Sequence, residues 1–289
     1  MNTSSKRIPL WINKLAGSSD AITAALQDDE RIKIVSLAPE ELNTAIDEEI
    51  KRNPSILLVS GGDGTLALIA NKIAGKDISM AVIPGGTLNH FAKRHDIPIE
   101  PKAALDLALN GQKKAIDVAY VNDNLFLNTS SLGAYVHFVK KRNTHKADLG
   151  YLFASVYAMT NRLLNFRRLN IQLNNTVLKT PLIFIGVGER EVSLPSLGEI
   201  DQDGHRKLHV IAIKSRNSFS TLLVAIRAIF LGVDPLEKNN EIENHFLTEM
   251  EITLRSKSET KIALDGELLK IKPPLQYRYV KGAFNLISK

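Results

Sequence analysis

Three short patterns of glycine, acid and hydroxyl residues stand out in the chain. The first is Gly61-Gly62-Asp63-Gly64-Thr65, placed directly after the apolar run 56–60 and before a helical pattern reaching about Ala74. Glycine lets a backbone come close to a ligand and adopt angles closed to other residues. The N-terminus of the following helix presents unpaired amides to an anion. Asp63 adds a carboxylate beside that anion, which makes chemical sense when magnesium or a hydroxyl lies between them. The plainer alternative is a tight turn with Asp63 as a helix cap. The second pattern, Pro84-Gly85-Gly86-Thr87-Leu88-Asn89, follows the apolar stretch 80–83. Thr87 could donate to a phosphate and Asn89 could orient one, or the segment is an ordinary strand-to-helix turn with Thr87 as its cap. Two glycine-rich loops at the carboxyl ends of two parallel strands face one crevice. Together they point to a phosphate site, which neither would do alone. The third pattern is Asp265-Gly266-Glu267. Its two carboxylates could supply a base and a metal contact, although the tripeptide is also a β-turn signal.

The elements that must carry these loops are legible in the spacing of apolar residues. Segments 8–13, 32–37, 56–60 and 80–83 read as strands, and 20–28, the stretch opened by Pro39-Glu40-Glu41, and 66–74 read as helices. Proline and acids in a first turn suit a helix start. Continuous apolar strands alternating with helices are the signature of a parallel sheet covered on both faces. After about Tyr120 the rhythm changes. Helical patches are expected at 132–141 and 149–166, a hairpin at 169–173 and 176–185 turning on Asn174-Asn175, and further strands at 207–213, 246–254, 260–264 and 276–280. This half reads as mainly antiparallel β. Asn-Asn suits the positive φ of a tight turn. No internal repeat or low-complexity segment interrupts the chain.

Composition narrows the chemistry. The 289 residues, 44% of them hydrophobic, suffice for two domains with a sizeable core. With no cysteine there are no disulfides, thiolate metal sites or cysteine nucleophile, so a metal must be held by oxygen or imidazole, which suits magnesium. The seven histidines show no metal-ligand spacing. A net charge of +6, from 37 basic and 31 acidic residues, favours an anionic partner without choosing among nucleotide, acidic lipid and nucleic acid. No interleaved aromatic and basic platform supports nucleic-acid binding. Residues 1–20 lack the apolar core of a signal peptide, and the apolar helical stretch 221–233 is too short to span a bilayer. The expectation is a cytoplasmic protein with at most peripheral membrane contact. Lys140-Lys141-Arg142, Lys146, Arg162, Arg167 and Arg168, on helices mixing apolar and basic residues, could meet anionic headgroups, or form solvated helix faces. The Gly-x-x-x-x-Gly-Lys-Ser/Thr and His-Glu-x-x-His motifs do not occur.

Taken together, Gly-Gly-Asp-Gly-Thr at 61–65, Gly-Thr-x-Asn at 86–89 with Phe91-Ala92, and Asp-Gly-Glu at 265–267 resemble the diacylglycerol kinase catalytic family, which includes bacterial lipid kinases and the sphingosine and ceramide kinases. Asn13 and Gly17 sit where that family has an Asn-Pro-x-x-Gly loop. Asp117, Val118, Phe126, Asn128, Ser131, Leu132 and Gly133 match the stretch entering its second domain, and Pro195 with Asp203-Gly204 resembles its Pro…Asp-Gly segment. The resemblance runs in order along nearly the whole chain. It implies an NAD kinase/diacylglycerol kinase-like α/β domain over residues 1–120, a β-sandwich domain over 121–279, and a tail at about 280–289 returning to the first domain.

The same resemblance implies an ATP- and magnesium-dependent lipid kinase acting on a lipid alcohol, with peripheral contact to anionic membrane and a possible homodimer. By position, Asn13, Gly17, Gly61, Gly62, Asp63, Gly64, Thr65, Gly86, Thr87 and Asn89 would hold ATP, with Ser36 in a place where relatives often have a nucleotide-contacting threonine. Glu267 would deprotonate the lipid hydroxyl with Asp265 beside it, and Asp63 stands as a second candidate for the base. Asp203 would match a structural magnesium ligand, although His205-Arg206-Lys207 departs from the usual pattern. Lys14 replaces a proline, Ala67 an asparagine and His90 an aspartate. Two rivals share parts of this signature: an NAD kinase-like enzyme, and a catalytically silent nucleotide-binding regulator.

Overall fold

The structure is a computed structural model that describes residues 7–87, 89–133, 169–173, 176–190, 204–214, 218–254 and 258–289. The chain divides into two compact units, residues 1–117 with 281–289, and residues 118–280.

The first unit is built on a parallel sheet. Strands β1 (Ile8–Asn13), β2 (Ile32–Leu37), β3 (Ile56–Gly61) and β4 (Ser79–Pro84) lie in the order β2-β1-β3-β4. Each neighbouring pair is parallel. The end of β16 (Leu275–Ser288) adds a further parallel partner to β4 through Asn285 and Leu286. β4 is buried throughout and β3 nearly so, with Leu57, Leu58, Val59, Met80 and Val82 shut away from water. This is the burial that their unbroken apolar sequence predicts.

Helices α1 (Ser19–Leu26), α2 (Pro39–Lys51), α3 (Asp63–Ile73), α4 (His90–Arg94) and α5 (Pro101–Asn110) complete the unit. Their starts are chemically specified. Pro39 opens α2, and the Glu41 carboxylate accepts from the Ala38 amide at 3.2 Å. Glu100 caps α5 by accepting from the Lys102 and Ala103 amides. Leu66, Ile69, Ala70 and Ile73 form the buried stripe of α3 at helical spacing.

The second unit is antiparallel. It contains β5 (Gln112–Val121, whose first part belongs to the other unit), β6 (Asn124–Phe126), β7 (Thr129–Gly133), β8 (Leu169–Leu173), β9 (Thr176–Thr180), β10 (Leu182–Val187), β11 (Leu208–Ile213), α6 (Ser218–Leu231), α7 (Asp234–Lys238), β12 (Ile242–Leu247), β13 (Glu249–Leu254), β14 (Thr260–Leu264) and β15 (Glu267–Ile271). One sheet runs β12-β11-β10-β7-β14-β15. Facing it, β13 pairs with the start of β16 on one side and with β8, then β9, on the other. Ile183, Ile185, Val210 and Ile262 from the first sheet meet Met250, Ile252, Leu275 and Tyr277 from the second in one core, as in a sandwich. A second cluster, including Ile211, Ile213, Val224 and Leu236, seats α6 and α7.

Three sequence expectations need correction. The stretch 176–185 is two strands, broken at Pro181, which has no amide to donate to a ladder. The Thr180 hydroxyl stabilises the corner, donating to the Ile213 carbonyl at 2.9 Å and accepting from the Leu182 amide at 3.1 Å. The stretch 246–254 also divides, at Thr248, because the chain crosses from one sheet to the other there. Leu132 and Gly133 end β7 rather than open a helix, and Leu132 pairs with Ile183. The rest of 132–141, the helix expected at 149–166 with its basic residues, and the Asn174-Asn175 turn lie outside the described residues. Among the described residues, no helix is long and apolar enough to cross a membrane.

Candidate functional site

Three loops leave the carboxyl ends of adjacent parallel strands β1, β3 and β4, and hydrogen bonds tie them into a ring. Asn13, the last residue of β1, donates from its side-chain amide to Thr65 Oγ1 at 2.9 Å and accepts from the Leu15 amide at 3.0 Å. The Gly85 amide donates to the Gly61 carbonyl at 3.0 Å, and the Ser18 amide donates to the Gly85 carbonyl at 3.1 Å. Each loop is therefore fixed by the other two. Parallel pairing brings their ends to one edge of the sheet, the place where such sheets bind ligands.

Glycine is a steric necessity in this ring. A Cβ on Gly86 would lie 2.6 Å from the Gly62 Cα, and one on Gly61 would lie 2.6 Å from the Thr65 Cβ. Gly62 caps α3 with extended backbone, and no side chain occupies the capping position. The first amides of α3 thus open beside a surface made of glycine backbone, a donor set suited to phosphate oxygens. Thr65 is half-buried and Thr87 is exposed, while Gly17 lies close to the Thr87 hydroxyl. Ser36 is exposed on β2, opposite Ile12 in the ladder.

Two residues in the ring do something the sequence did not disclose. Asn89 adopts a left-handed conformation, with φ of 51°. Its side chain accepts from the Gly86 amide and donates to the Gly86 carbonyl, both at 2.8 Å, so it staples its own loop instead of reaching outward. The Asp63 carboxylate accepts from the Phe91 amide at 2.9 Å and the His90 amide at 3.2 Å. It holds the start of α4, not the start of α3. Both placements depend on backbone amides, which carry no sequence signal. Ser18 is a ring member missed for the same reason, while Gly85 belongs to the second glycine pattern and joins the ring through its backbone.

In the second unit, Asp265-Gly266 forms the two-residue loop between β14 and β15, and Leu264 pairs with Glu267. The Asp265 carboxylate accepts from the amides of Leu127, Asn128 and Thr129 at 2.7–2.8 Å. Glu267 is exposed at the start of β15, and its carboxylate makes no hydrogen bond or ion pair with the described residues. Nearby, buried Arg190 donates through Nη2 to the Asn128 carbonyl at 2.8 Å. The Arg190 amide donates to His209 Nδ1 at 2.9 Å, so His209 carries its proton on Nε2, which donates to Asn244 Oδ1 at 2.8 Å. Burial pushes the His209 pKa below the usual histidine value. Asp203 lies outside the described residues. Among those described, no group of three histidine or carboxylate side chains is arranged to hold a metal.

Residues 12–121 match the model of the diacylglycerol kinase catalytic domain. A Staphylococcus carnosus (strain TM300) protein named "Putative lipid kinase" is 28% identical over 243 residues, covering 80% of this chain and 76% of its own length. An uncharacterized protein of Synechocystis is 25% identical over 267 residues, covering 90% of this chain and 59% of its own length. A Bacillus anthracis (strain Sterne) crystal structure titled as a diacylglycerol kinase superposes with a TM-score of 0.67 at 19% identity, covering 100% of this chain and 98% of that one. At that identity the likeness speaks to the fold, an α/β unit with a parallel sheet joined to an antiparallel β unit.

Proposed function

We propose that the chain, whose residues 12–121 match the model of the diacylglycerol kinase catalytic domain, is an ATP- and magnesium-dependent lipid kinase that phosphorylates a lipid alcohol of the diacylglycerol, ceramide or sphingoid kind. The observation that carries the reading is the ring of three loops, with glycine backbone packed on glycine backbone beside the first turn of α3.

ATP, when bound, supplies the phosphoryl group and, with magnesium on its phosphates, most of the charge neutralisation that such transfers need. The residues of the chain have separate tasks. Gly61 and Gly86 let the loops close backbone on backbone and side chain, and with Gly62 and Gly64 they present main-chain amides to the phosphates. The amides of α3, with Thr65, Thr87, Asn13, Gly17 and Ser36, bind and orient the nucleotide. Asn89 keeps the second glycine loop in shape, and Asp63 keeps α4 against the first loop and would help hold magnesium on the phosphates. Asp203 is the further side chain assigned to magnesium. Glu267 takes the proton from the lipid hydroxyl as that oxygen bonds to phosphorus and the bond to the ADP oxygen breaks. An exposed, unengaged carboxylate is free to do this in a way that Asp265 is not. Peripheral contact with anionic membrane, where a lipid alcohol resides, a homodimer formed through edge strands and a cytoplasmic location belong to the same reading.

The test is transfer of labelled phosphate from ATP and magnesium to a panel of lipid alcohols in mixed micelles, with NAD in a parallel tube. A labelled lipid supports the reading and names the substrate class. Label in NAD alone would move the chain to the NAD kinases, and ATP binding without any transfer would favour the silent regulator. In the same assay, Glu267→Gln should lower turnover by about 10²–10⁴-fold with an unchanged melting temperature. Turnover within a few-fold of wild type would remove Glu267 from the mechanism.

A further inference from the structure

Asp265 and Glu267 are two residues apart, yet they live in opposite surroundings. Asp265 and Gly266 have φ of 46° and 88°, the left-handed pair that a two-residue hairpin turn of type I′ requires. The Asp265 amide donates to the Thr129 carbonyl at 2.8 Å. Its carboxylate answers with three bonds to the same segment: Oδ2 accepts from the Leu127 amide, and Oδ1 accepts from those of Asn128 and Thr129. The far side of that segment is held too. The Asn128 carbonyl accepts from the Val187 amide at 3.0 Å and from Arg190 Nη2 at 2.8 Å. The hairpin tip is therefore clamped to a segment that is itself clamped, and Glu267 is the next residue out.

We propose that Asp265 is a positioning residue for phosphoryl transfer. It acts on the reaction only through Glu267, by fixing the turn that delivers it, and exchanges no proton itself. The inference rests on the reading of Glu267 as the base. Its physical ground is donor–acceptor bookkeeping. A proton placed on Asp265 Oδ1 would compete with the two amides, 2.7 and 2.8 Å away, that this oxygen accepts from, and one of them would lose its partner. Glu267 can be protonated with no such conflict.

A double-mutant cycle tests this. Asp265→Asn should lower kcat about 10–100-fold, leave the KM for ATP within about twofold, and keep the acidic limb of the kcat–pH profile. Glu267→Gln should abolish that limb. The double variant should be no slower than Glu267→Gln alone, because a residue acting through another adds nothing once the other is gone. Multiplicative losses in an active enzyme would overturn the inference and leave the kinase reading standing. A wild-type chain inactive on every lipid would overturn that reading, and the inference with it. Should Asp265→Asn fail to fold, carboxyl-carbon NMR of the wild-type chain serves instead. The acidic limb should coincide with the titration of Glu267, and coincidence with Asp265 would overturn the assignment.

Discussion

The Gly-Gly-Asp-Gly-Thr loop of the α/β unit and the Asp-Gly-Glu turn of the β unit contain the same kinds of residue at strand ends, and they work by different physics. In the first, glycine is demanded by neighbours: a Cβ on Gly61 would lie 2.6 Å from the Thr65 Cβ, and the backbone of Gly62 fills the space a Cβ would take on Gly86 in the adjoining loop. In the second, nothing lies within 4 Å of a Cβ on Gly266, and glycine is demanded by a φ of 88° alone. The aspartates, in contrast, behave alike. Asp63 and Asp265 both accept from amides distant in sequence, 27–28 positions away in one case and 136–138 in the other. Glycine in these motifs answers to local geometry, while the acid ties together parts of the chain that the motif itself does not contain.

Breaking each glycine separately sharpens that contrast. Gly86→Ala should push the two glycine loops apart. Overpacking of this kind costs about 1–3 kcal/mol, and the accompanying displacement of the amides proposed to face phosphate should weaken ATP binding by on the order of 10²-fold, read by calorimetric titration. Gly266→Ala has room for its methyl group and bears only the left-handed strain, about 1–2 kcal/mol, visible as a lower urea midpoint with ATP affinity unchanged. Comparable ATP losses in the two variants would erase the distinction.

The smallest expected effect concerns the polar chain behind the Asp265 segment. His209 is neutral there because its Nδ1 accepts from the Arg190 amide, and the charged or titratable groups around it are Glu189, Arg190 and His205. Its folded pKa lies below the unfolded value, so the unfolded chain binds the proton more readily. Its contribution to stability is complete above about pH 6.5 and declines as pH falls from there toward the folded pKa, with a slope of at most about 1.4 kcal/mol per pH unit. Denaturant midpoints between pH 7 and 5 should show this decline in the wild type, and less of it in His209→Gln. Equal slopes in both proteins would remove His209 as the source.

How much of this was legible in the sequence follows from the range of the forces involved. The strands β1 to β4 were readable because burial on both faces demands unbroken apolar runs, and the glycine loops because their residues are adjacent. Pro181 and Thr248 were not readable as sheet breaks, since apolar residues resume within two positions on the far side and only the change of sheet marks the break. Glu267 was placed by its motif, while the clamp that holds it was invisible. The partners of Asp63, Asn89 and Asp265 are backbone amides, identical for every residue type except proline, so no side-chain pattern records them. Asn89 looked like a ligand for phosphate and is a staple for its own loop. Asp63 looked like a cap for α3 and is an anchor for α4.

The central claim is a division of labour in which the glycine ring binds the nucleotide and Glu267 performs proton transfer. Calorimetric titration of ATP with magnesium into Gly86→Ala and Glu267→Gln, side by side with the wild type, tests it most directly. The account predicts that Glu267→Gln binds ATP as the wild type does while Gly86→Ala binds it far more weakly. Wild-type affinity in Gly86→Ala together with lost affinity in Glu267→Gln would contradict it.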